Sequence, residues 1–270
     1  MKRKLPIDCS FDERENDLRV CLPSGHYPAE GFEILYRMES NSFWFRSRNR
    51  LILWVLDHFF PDISNMLEIG CGTGFVLESI SSHRPGLSLY GSELSTDGLD
   101  YACRRLAGKI PLFQLDACYL PFSEQFDVIG VFDVLEHIKE DQLALSKIYK
   151  AVVPGGGVIL TVPQHRWMWN QIDEQSLHER RYTRKLLKSR LEQAGFSCIY
   201  ATSFVSFLLP LMILSRFRKT DGLDQSMQRL IPPKLINVVF EYVLNLERRL
   251  IEIGVTLPIG GSLLMVAVKK

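Results

Sequence analysis

Several features that mark particular protein classes are missing from this 270-residue chain. The net charge is only +1, which gives no general attraction to nucleic acid. The six cysteines are scattered without a Cys-x-x-Cys spacing, so neither a disulfide framework nor a structural zinc site is expected. The longest strongly apolar stretch, residues 204–214, is broken by Pro210 and is too short to cross a bilayer. We therefore expect a soluble cytoplasmic protein without a signal peptide.

A glycine-rich turn separates a short apolar segment from a helical pattern. The apolar run at residues 66–69 stops at Gly70, Gly72 and Gly74, and an amphipathic stretch follows from Phe75. Glycine allows positive φ and removes the Cβ atoms that would hold a ligand away from the backbone. The first N–H groups of the helix then point at that ligand. The pattern predicts a nucleotide-type site at the carboxyl edge of a parallel sheet.

The spacing of the glycines argues against two other nucleotide sites. Dinucleotide dehydrogenases use Gly-x-Gly-x-x-Gly, whereas here the third glycine comes one residue earlier. No Lys-Ser or Lys-Thr pair follows, which excludes a P-loop. Glu68 lies two residues before the first glycine, where a carboxylate attracts a cation and repels a pyrophosphate.

Acidic residues also follow the next two predicted strands. Glu93 lies about 20 residues beyond the glycines, where a carboxylate accepts hydrogen bonds from ribose hydroxyls. The alternative is that Glu93 caps the helix that begins near Ser95. Asp116 and Ala117 follow a third strand at residues 110–115.

Further strands are predicted at residues 126–132 and, after a Pro-Gly-Gly-Gly turn at residues 154–157, at residues 158–162. Strands and helices alternate over this part of the chain, which predicts a parallel sheet with right-handed crossovers.

These motifs together resemble those of the class I S-adenosylmethionine (SAM)-dependent methyltransferases, in particular the ubiquinone-biosynthesis O-methyltransferase branch. The resemblance rests on Leu-Glu-Ile-Gly-Cys-Gly-Thr-Gly at residues 67–74, the acidic-small pair Asp116-Ala117, residues 133–138 and the Pro-Gly-Gly turn, within residues 66–163. It implies an α/β, Rossmann-like fold with a seven-stranded, mostly parallel sheet and an antiparallel last strand.

The resemblance also implies a division of the chain. Residues 1–60 would form an N-terminal arm and helical lid, and residues 61–203 the SAM-binding core. A helical insertion at residues 204–261 would precede the closing strand at residues 262–270.

The cofactor would be SAM, with S-adenosylhomocysteine as its product. Residues implied to bind it are Glu68, Gly70, Cys71, Gly72, Gly74, Glu93, Leu94, Asp116, Ala117 and Phe132.

Catalytic candidates follow the fourth strand. His137 is the best candidate for a base that removes a proton from a hydroxyl, with Asp133 beside it. A second hypothesis is a divalent metal held by Asp133, Glu136 and His137, which a helical turn would bring to one side, with His165 or His178 as a further ligand. In a third interpretation, His137 only closes the cofactor pocket.

A segment after the fifth strand is rich in groups that recognise ligands. Candidate substrate-binding residues are Trp167, His178, Arg180, Arg181 and Tyr182. Arginine pairs bind phosphate groups in a bidentate manner, which points to an anionic acceptor. A solvated basic helix face with packed tryptophans is the alternative, and residues 43–48 leave a similar choice between a carboxylate site and a packed helix.

The expected activity is methyl transfer to a small or lipid-linked acceptor that carries an anionic group. Oxygen is a more expected methyl acceptor atom than nitrogen or carbon. Nucleic acid is not an expected partner, and the oligomeric state is not determined by the sequence. The apolar and then basic residues 204–219 would suit a peripheral membrane contact. The alternatives are a non-catalytic SAM-binding or membrane-associated scaffold and an NAD(P)-dependent oxidoreductase.

Overall fold

The computed structural model describes residues 29–215 and 232–270, which contain one seven-stranded sheet. Its strands are β1 Asn65–Ile69, β2 Ser88–Glu93, β3 Leu112–Gln114, β4 Phe126–Phe132, β5 Val152–Pro163, β6 Ser197–Phe204 and β7 Ser262–Val268. The strand order is β3-β2-β1-β4-β5-β7-β6. Strands β1 to β5 pair in parallel, whereas β7 runs antiparallel to both β5 and β6.

Helices cover both faces of the sheet. They are α1 Ala29–Met38, α2 Phe43–Phe59, α3 Phe75–His83, α4 Thr96–Leu106, α5 Asp141–Ala151, α6 Gln171–Gln175, α7 Arg184–Gln193, α8 Leu209–Ser215 and α9 Lys234–Glu252. Hydrophobic residues of α5 and α7 pack on one face, and those of α2, α3, α4 and α9 on the other.

The central strands are apolar throughout because both of their faces are buried. Successive residues enter opposite halves of the core: Met66 and Val128 pack on one face, and Leu67 and Ile129 on the other. Each of these four side chains is fully buried, which stabilises the fold by roughly 1.5–3 kcal/mol per side chain. The carboxyl ends of β1, β2 and β4 therefore come to one edge in a rigid arrangement.

The expected Rossmann-like fold, with a mostly parallel sheet and an antiparallel last strand, is confirmed. The bounds of two strands were wrong: the third spans Leu112–Gln114 and not residues 110–115, and the fifth begins at Val152 and not at residue 158. Val152 pairs with Phe126 before a register shift, so the glycine segment lies within the strand as an irregularity and not before it.

Other expectations remain predictions. Residues 1–28 of the expected arm and residues 216–219 of the expected membrane contact lie outside the described residues. The division of the chain into domains stays a prediction. Within the described ranges, none of the helices combines the length and the apolar character that passage through a bilayer requires.

Candidate active site

The glycine turn lies at the carboxyl end of β1 and borders a cleft of about 740 Å³. Gly70, Gly72 and Gly74 have φ values of 66°, 52° and 78°, a region that side chains rarely adopt. A Cβ on Gly70 would lie 2.4 Å from a methyl carbon of Val134, whereas one on Gly72 would meet no protein atom within 4 Å. The backbone at Gly72 is therefore open to a ligand, and Gly70 lets the turn pack against the end of β4.

Three of the acidic side chains that line the same cleft lie at or just beyond the carboxyl ends of three adjacent strands. Glu68 is 2% exposed, its Oε2 has no hydrogen-bond partner among the described residues, and burial raises its pKa well above the usual range. Glu93 accepts hydrogen bonds from the backbone N–H groups of Gly72 at 3.0 Å and Leu94 at 2.8 Å. Asp116 accepts one from the N–H of Cys118 at 2.7 Å.

Glu93 is not the N-cap of α4, although it does bind a backbone N–H group just before that helix. Ser95 caps α4 by accepting from the N–H of Gly98, while Glu93 accepts from the N–H of Ser95 at 3.0 Å, just before the helix. The second carboxylate oxygen of Glu93 joins the glycine turn to the end of β2.

Arg48 enters the cleft from α2, and this placement changes the expected role of Asp133. Its Nη1 donates to Asp133 Oδ2 at 2.6 Å, and that same oxygen accepts from Thr161 Oγ1 at 3.0 Å. Asp133 has a φ of 56°, so the chain turns here and the carboxylate faces α2 and β5. The expected grouping of Asp133 with Glu136 and His137 as metal ligands is not formed, because Asp133 is held by the arginine.

A different cluster forms in the wall of the same cleft. Ligand atoms of Glu136, His137 and His178 all lie within 4.8 Å of one another. The two imidazole rings meet edge to face with centroids 4.6 Å apart. Burial, with His178 beside it, lowers the pKa of His137 to about 3, so this ring is neutral at cellular pH. Burial raises the pKa of Glu136 well above its usual range.

Asp173 organises the residues behind this cluster. Its Oδ1 is 2.8 Å from His178 Nδ1 and accepts from Arg181 Nε at 2.7 Å. Burial by itself would raise the pKa of Asp173, but the hydrogen bonds from His178 and Arg181 and the charge of Arg181 lower it overall. His178 and Arg181 therefore sit in fixed positions on the wall of the cleft.

The other candidates for substrate binding lie outside the cleft lining. Tyr182 is fully buried and donates to Asp141 Oδ2 at 2.9 Å. Arg180 donates to the backbone carbonyls of Ile138 and Lys139 at 2.6 and 2.9 Å. Trp167 is 62% exposed and stacks on His165. These residues support the turn around the cluster, because their polar atoms are committed to partners within the fold or face solvent.

The N-terminal helical layer is fastened to the glycine turn by a buried ion pair. Glu39, in the short turn after α1, accepts hydrogen bonds from Thr73 Oγ1 and from Arg105 Nη2, the latter at 2.8 Å. Both charged side chains are 7% exposed. The layer thus closes one side of the cleft and contributes Phe45 and Arg48 to its wall.

Sequence reasoning brought most of the cofactor residues to one place, and it left residues 43–48, which include Arg48, open between a carboxylate site and a packed helix. The cleft is lined by nine of the ten residues implied to bind the cofactor: Glu68, Gly70, Cys71, Gly72, Glu93, Leu94, Asp116, Ala117 and Phe132. The tenth, Gly74, is the N-cap of α3. A second signal for Arg48 is its place on the apolar helix face of Phe45, Ile52 and Val55. Asp173 lies in the segment after the fifth strand that is rich in ligand-recognising groups, but no role was predicted for it.

The strand order, the glycine turn and the acidic cleft at the carboxyl ends of the strands define a Rossmann-like methyltransferase fold. Residues 67–158 match the model of the methyltransferase domain family.

Curated relatives match over about a third of the chain. Phosphoethanolamine N-methyltransferase 2 of Caenorhabditis elegans is 31% identical over 102 residues, which are 36% of this chain and 23% of the relative. The mitochondrial ubiquinone biosynthesis O-methyltransferase of Candida albicans is 30% identical over 103 residues, 36% of this chain and 31% of the relative. The chain thus spans only about a quarter to a third of the length of these relatives.

A solved structure extends the similarity of the fold. Phosphoethanolamine N-methyltransferase 2 of Haemonchus contortus, in complex with phosphomonomethylethanolamine and S-adenosylhomocysteine, superposes with a TM-score of 0.60. The alignment covers 89% of this chain and 57% of that one at 21% identity. This likeness concerns the fold.

Proposed function

We propose that this protein transfers the methyl group of SAM to an oxygen atom of a small or lipid-linked acceptor. The observation that supports it most is the presence in one cleft of the open glycine turn and three acidic side chains from adjacent strand ends. The match of residues 67–158 to methyltransferase domains is consistent with this reading.

The residues of the cleft fit SAM. When bound, SAM supplies an electrophilic methyl group on a positively charged sulfur. Glu68 has a buried carboxylate oxygen without a partner, which suits the cationic methionine end, and Arg48 suits its carboxylate. Glu93 would bind the ribose hydroxyls and Asp116 the adenine amine, as the resemblance implies. The missing Cβ at Gly72 leaves room for the close approach of a ligand.

The cluster on the acceptor side supplies the groups that a hydroxyl nucleophile requires. Asp173 orients His178 through Nδ1 and leaves Nε2 of that ring available to take a proton. His137 is a poor base, because its pKa of about 3 disfavours the protonated form. Its ring packs against that of His178 and orients it. We therefore assign proton removal to His178 and orientation to His137.

A metal-assisted version of the same reaction uses the same three groups. Glu136, His137 and His178 are a donor set for a divalent transition metal, and Asp173 would be the outer carboxylate that orients His178. Metal analysis of the purified protein separates the versions. A stoichiometric ion that is lost in His178→Asn supports the metal, and ion-free protein with full activity supports proton transfer to the histidine.

The acceptor class is supported by two facts. The relatives include one enzyme named for phosphoethanolamine, a small molecule, and one named for the biosynthesis of ubiquinone, a lipid. Arg181 places a cation on the wall of the cleft. A cytoplasmic location is part of the proposal, and among the described residues Cys71, Cys103, Cys118 and Cys198 are free thiols.

The experiment has two stages. Calorimetric titration with S-adenosylhomocysteine should show binding that Glu93→Ala weakens, whereas an oxidoreductase would bind NAD(P)H and ignore this ligand. Radiolabelled SAM is then incubated with small-molecule, lipid, glycan and nucleic-acid extracts. Label is expected in an oxygen-linked methyl group of the small-molecule or lipid fraction.

The acceptor cluster is tested with matched histidine variants. His178→Asn should reduce transfer by about 10²-fold or more without changing affinity for S-adenosylhomocysteine. His83→Asn, at an exposed histidine beside Asp57, should transfer at the native rate. Cofactor binding without labelled product in any fraction would instead indicate a non-catalytic SAM-binding protein.

A further inference from the structure

Helix α9 carries a stripe of exposed apolar side chains. Leu235, Val239, Tyr242, Leu246 and Ile253 are 77%, 48%, 72%, 56% and 77% exposed. Their spacings of 4, 3, 4 and 7 residues place them within about 60° of one another around a helix. We call these five residues the α9 stripe. A contiguous apolar surface of this kind marks an interaction site in a folded protein.

The opposite face of α9 holds the helix firmly against the body of the protein. Asn237 Oδ1 accepts from the N–H of Phe43 at 2.9 Å, and Glu241 pairs with Arg46 on α2. Leu244 and Ile251 are buried in the core. The stripe therefore faces outward because the other side of the helix is committed, and a partner would meet a rigid helix.

Among the described residues, the charged side chains of α9 that lack an oppositely charged partner are all cations. The three carboxylates of α9 are all used within the protein: Glu241 pairs with Arg46, Glu247 accepts from the N–H groups of Ser206 and Phe207, and Glu252 pairs with Arg248. The exposed residues Lys234 and Arg249 have no carboxylate partner among the described residues. The stripe thus combines apolar side chains with cations, and the carboxylates described on α9 are not available to pair with them.

This combination favours an anionic lipid surface over a second copy of the chain. In a symmetric dimer the stripe would face itself, and the cations of both copies would meet a helix whose own carboxylates are already used within the protein. A phospholipid leaflet offers an apolar layer for the five side chains and phosphate or carboxylate groups for Lys234 and Arg249. Tyr242 also suits the boundary, since its ring is apolar and its hydroxyl polar.

We propose that α9 is a membrane-docking helix that lies in the plane of an anionic phospholipid surface. The site differs from the membrane contact expected at residues 204–219, because the exposed apolar stripe and its cations lie on α9. A further apolar element, α8, exposes Leu211 and Leu214, while its Met212 lines the cleft. Docking is separable from methyl transfer, because lipid binding needs neither SAM nor an acceptor.

The test is co-sedimentation of the full chain with vesicles. The protein should sediment with phosphatidylcholine vesicles that contain phosphatidylserine, and less with phosphatidylcholine alone or at high salt. Leu235→Ser/Leu246→Ser should weaken binding by at least about tenfold. Lys234→Gln/Arg249→Gln should weaken it by about 25-fold, at about fivefold for each cation.

Matched controls change exposed residues elsewhere. Ile199→Ser/Leu186→Ser removes two exposed apolar side chains from other faces, and Lys109→Gln/Lys185→Gln removes two exposed cations. Both controls should bind as the native chain does, and thermal melting should show that all four variants are folded.

Two results would overturn the proposal. One is a lack of specificity, which would appear as equal sedimentation with neutral and anionic vesicles or as an equal loss of vesicle binding in the controls and the α9 variants. The other is a dimer, seen by sedimentation equilibrium, that Leu235→Ser/Leu246→Ser dissociates while the native chain does not bind vesicles, since the stripe would then be a contact between two copies.

Discussion

Gly72 and Gly108 have similar backbone conformations in different surroundings. Their φ values are 52° and 67°, and a Cβ on either would meet no protein atom within 4 Å. Gly72 borders the cleft, whereas Gly108 follows α4 outside it. The glycine turn therefore offers a way to separate backbone strain from ligand contact.

Alanine at either glycine should cost about 1–2 kcal/mol of folding free energy, because both residues would be held at positive φ. Only Gly72→Ala should weaken S-adenosylhomocysteine binding, since its Cβ would occupy space that the ligand needs. Urea unfolding and calorimetric titration measure the two effects. Equal affinity in both variants would show that the ligand does not approach this part of the turn.

The buried carboxyl group of Glu68 should make cofactor binding depend on pH. Burial raises the pKa of Glu68 well above its usual range, so its carboxyl group binds a proton at higher pH than an exposed one. A cation bound beside it stabilises the ionised form. Affinity should therefore rise with pH through the range in which Glu68 titrates in the free protein, and a proton should be released on binding.

Titrations below about pH 7.5, where the α-amino group of the ligand keeps its proton, measure this effect. Glu68→Gln cannot ionise, so its affinity should be lower and its pH dependence flatter. The same slope in the variant and the native protein would assign the effect to another group.

At the scale of elements, the contact between the N-terminal helical layer and the glycine turn depends on Glu39. Its carboxylate is the main buried partner of Arg105, and it also accepts from Thr73 in the turn. Burial raises the pKa of Glu39, while the charge of Arg105 opposes that shift. An unpaired buried charge is costlier than the pair itself is stabilising.

Glu39→Ala should therefore destabilise the protein by about 3 kcal/mol, because Arg105 would lose its close partner. Glu39→Gln should cost less, since the amide oxygen can still accept from Thr73 and Arg105. Glu33→Ala, which breaks an exposed pair with Arg37 on α1, should cost no more than about 0.5 kcal/mol. Denaturant unfolding compares the three, and equal losses for Glu39→Ala and Glu33→Ala would contradict the anchoring role.

For the whole molecule, the end of the chain is fastened to the middle of the fold. Lys269 follows β7, and its Nζ donates to the carbonyl oxygens of Tyr149 and Val152 at 3.1 and 2.9 Å. Glu124 lies 3.3 Å from the same nitrogen. The last strand thus lies between β5 and β6, and the residue after it satisfies carbonyl groups where α5 passes into β5.

Lys269→Ala should lower the free energy of unfolding by about 2 kcal/mol, because buried carbonyl groups lose their donor. Lys270→Ala, one residue further and exposed, should change it by less than about 0.5 kcal/mol. Thermal or urea unfolding of the pair is the measurement. Equal stability of the two variants would mean that water replaces the ammonium group without cost.

The sequence by itself determined the fold class and the place of the cleft. A glycine turn after an apolar strand, and acids after the next strands, are local patterns that parallel topology carries to one edge of the sheet. Glu68, Glu93 and Asp116 were predicted for this reason, and the structure places all three in the cleft lining.

Only the tertiary structure decided which polar groups meet across elements that are distant in sequence. Arg48 binds Asp133, which therefore does not join the expected set of metal ligands. Asp173 positions His178 and Arg181. Arg180 and Tyr182 make contacts within the fold. The outward face of α9 was decided in the same way, by its contacts with α2. Such pairings depend on side-chain directions and burial after packing, and residue spacing along the chain does not contain that information.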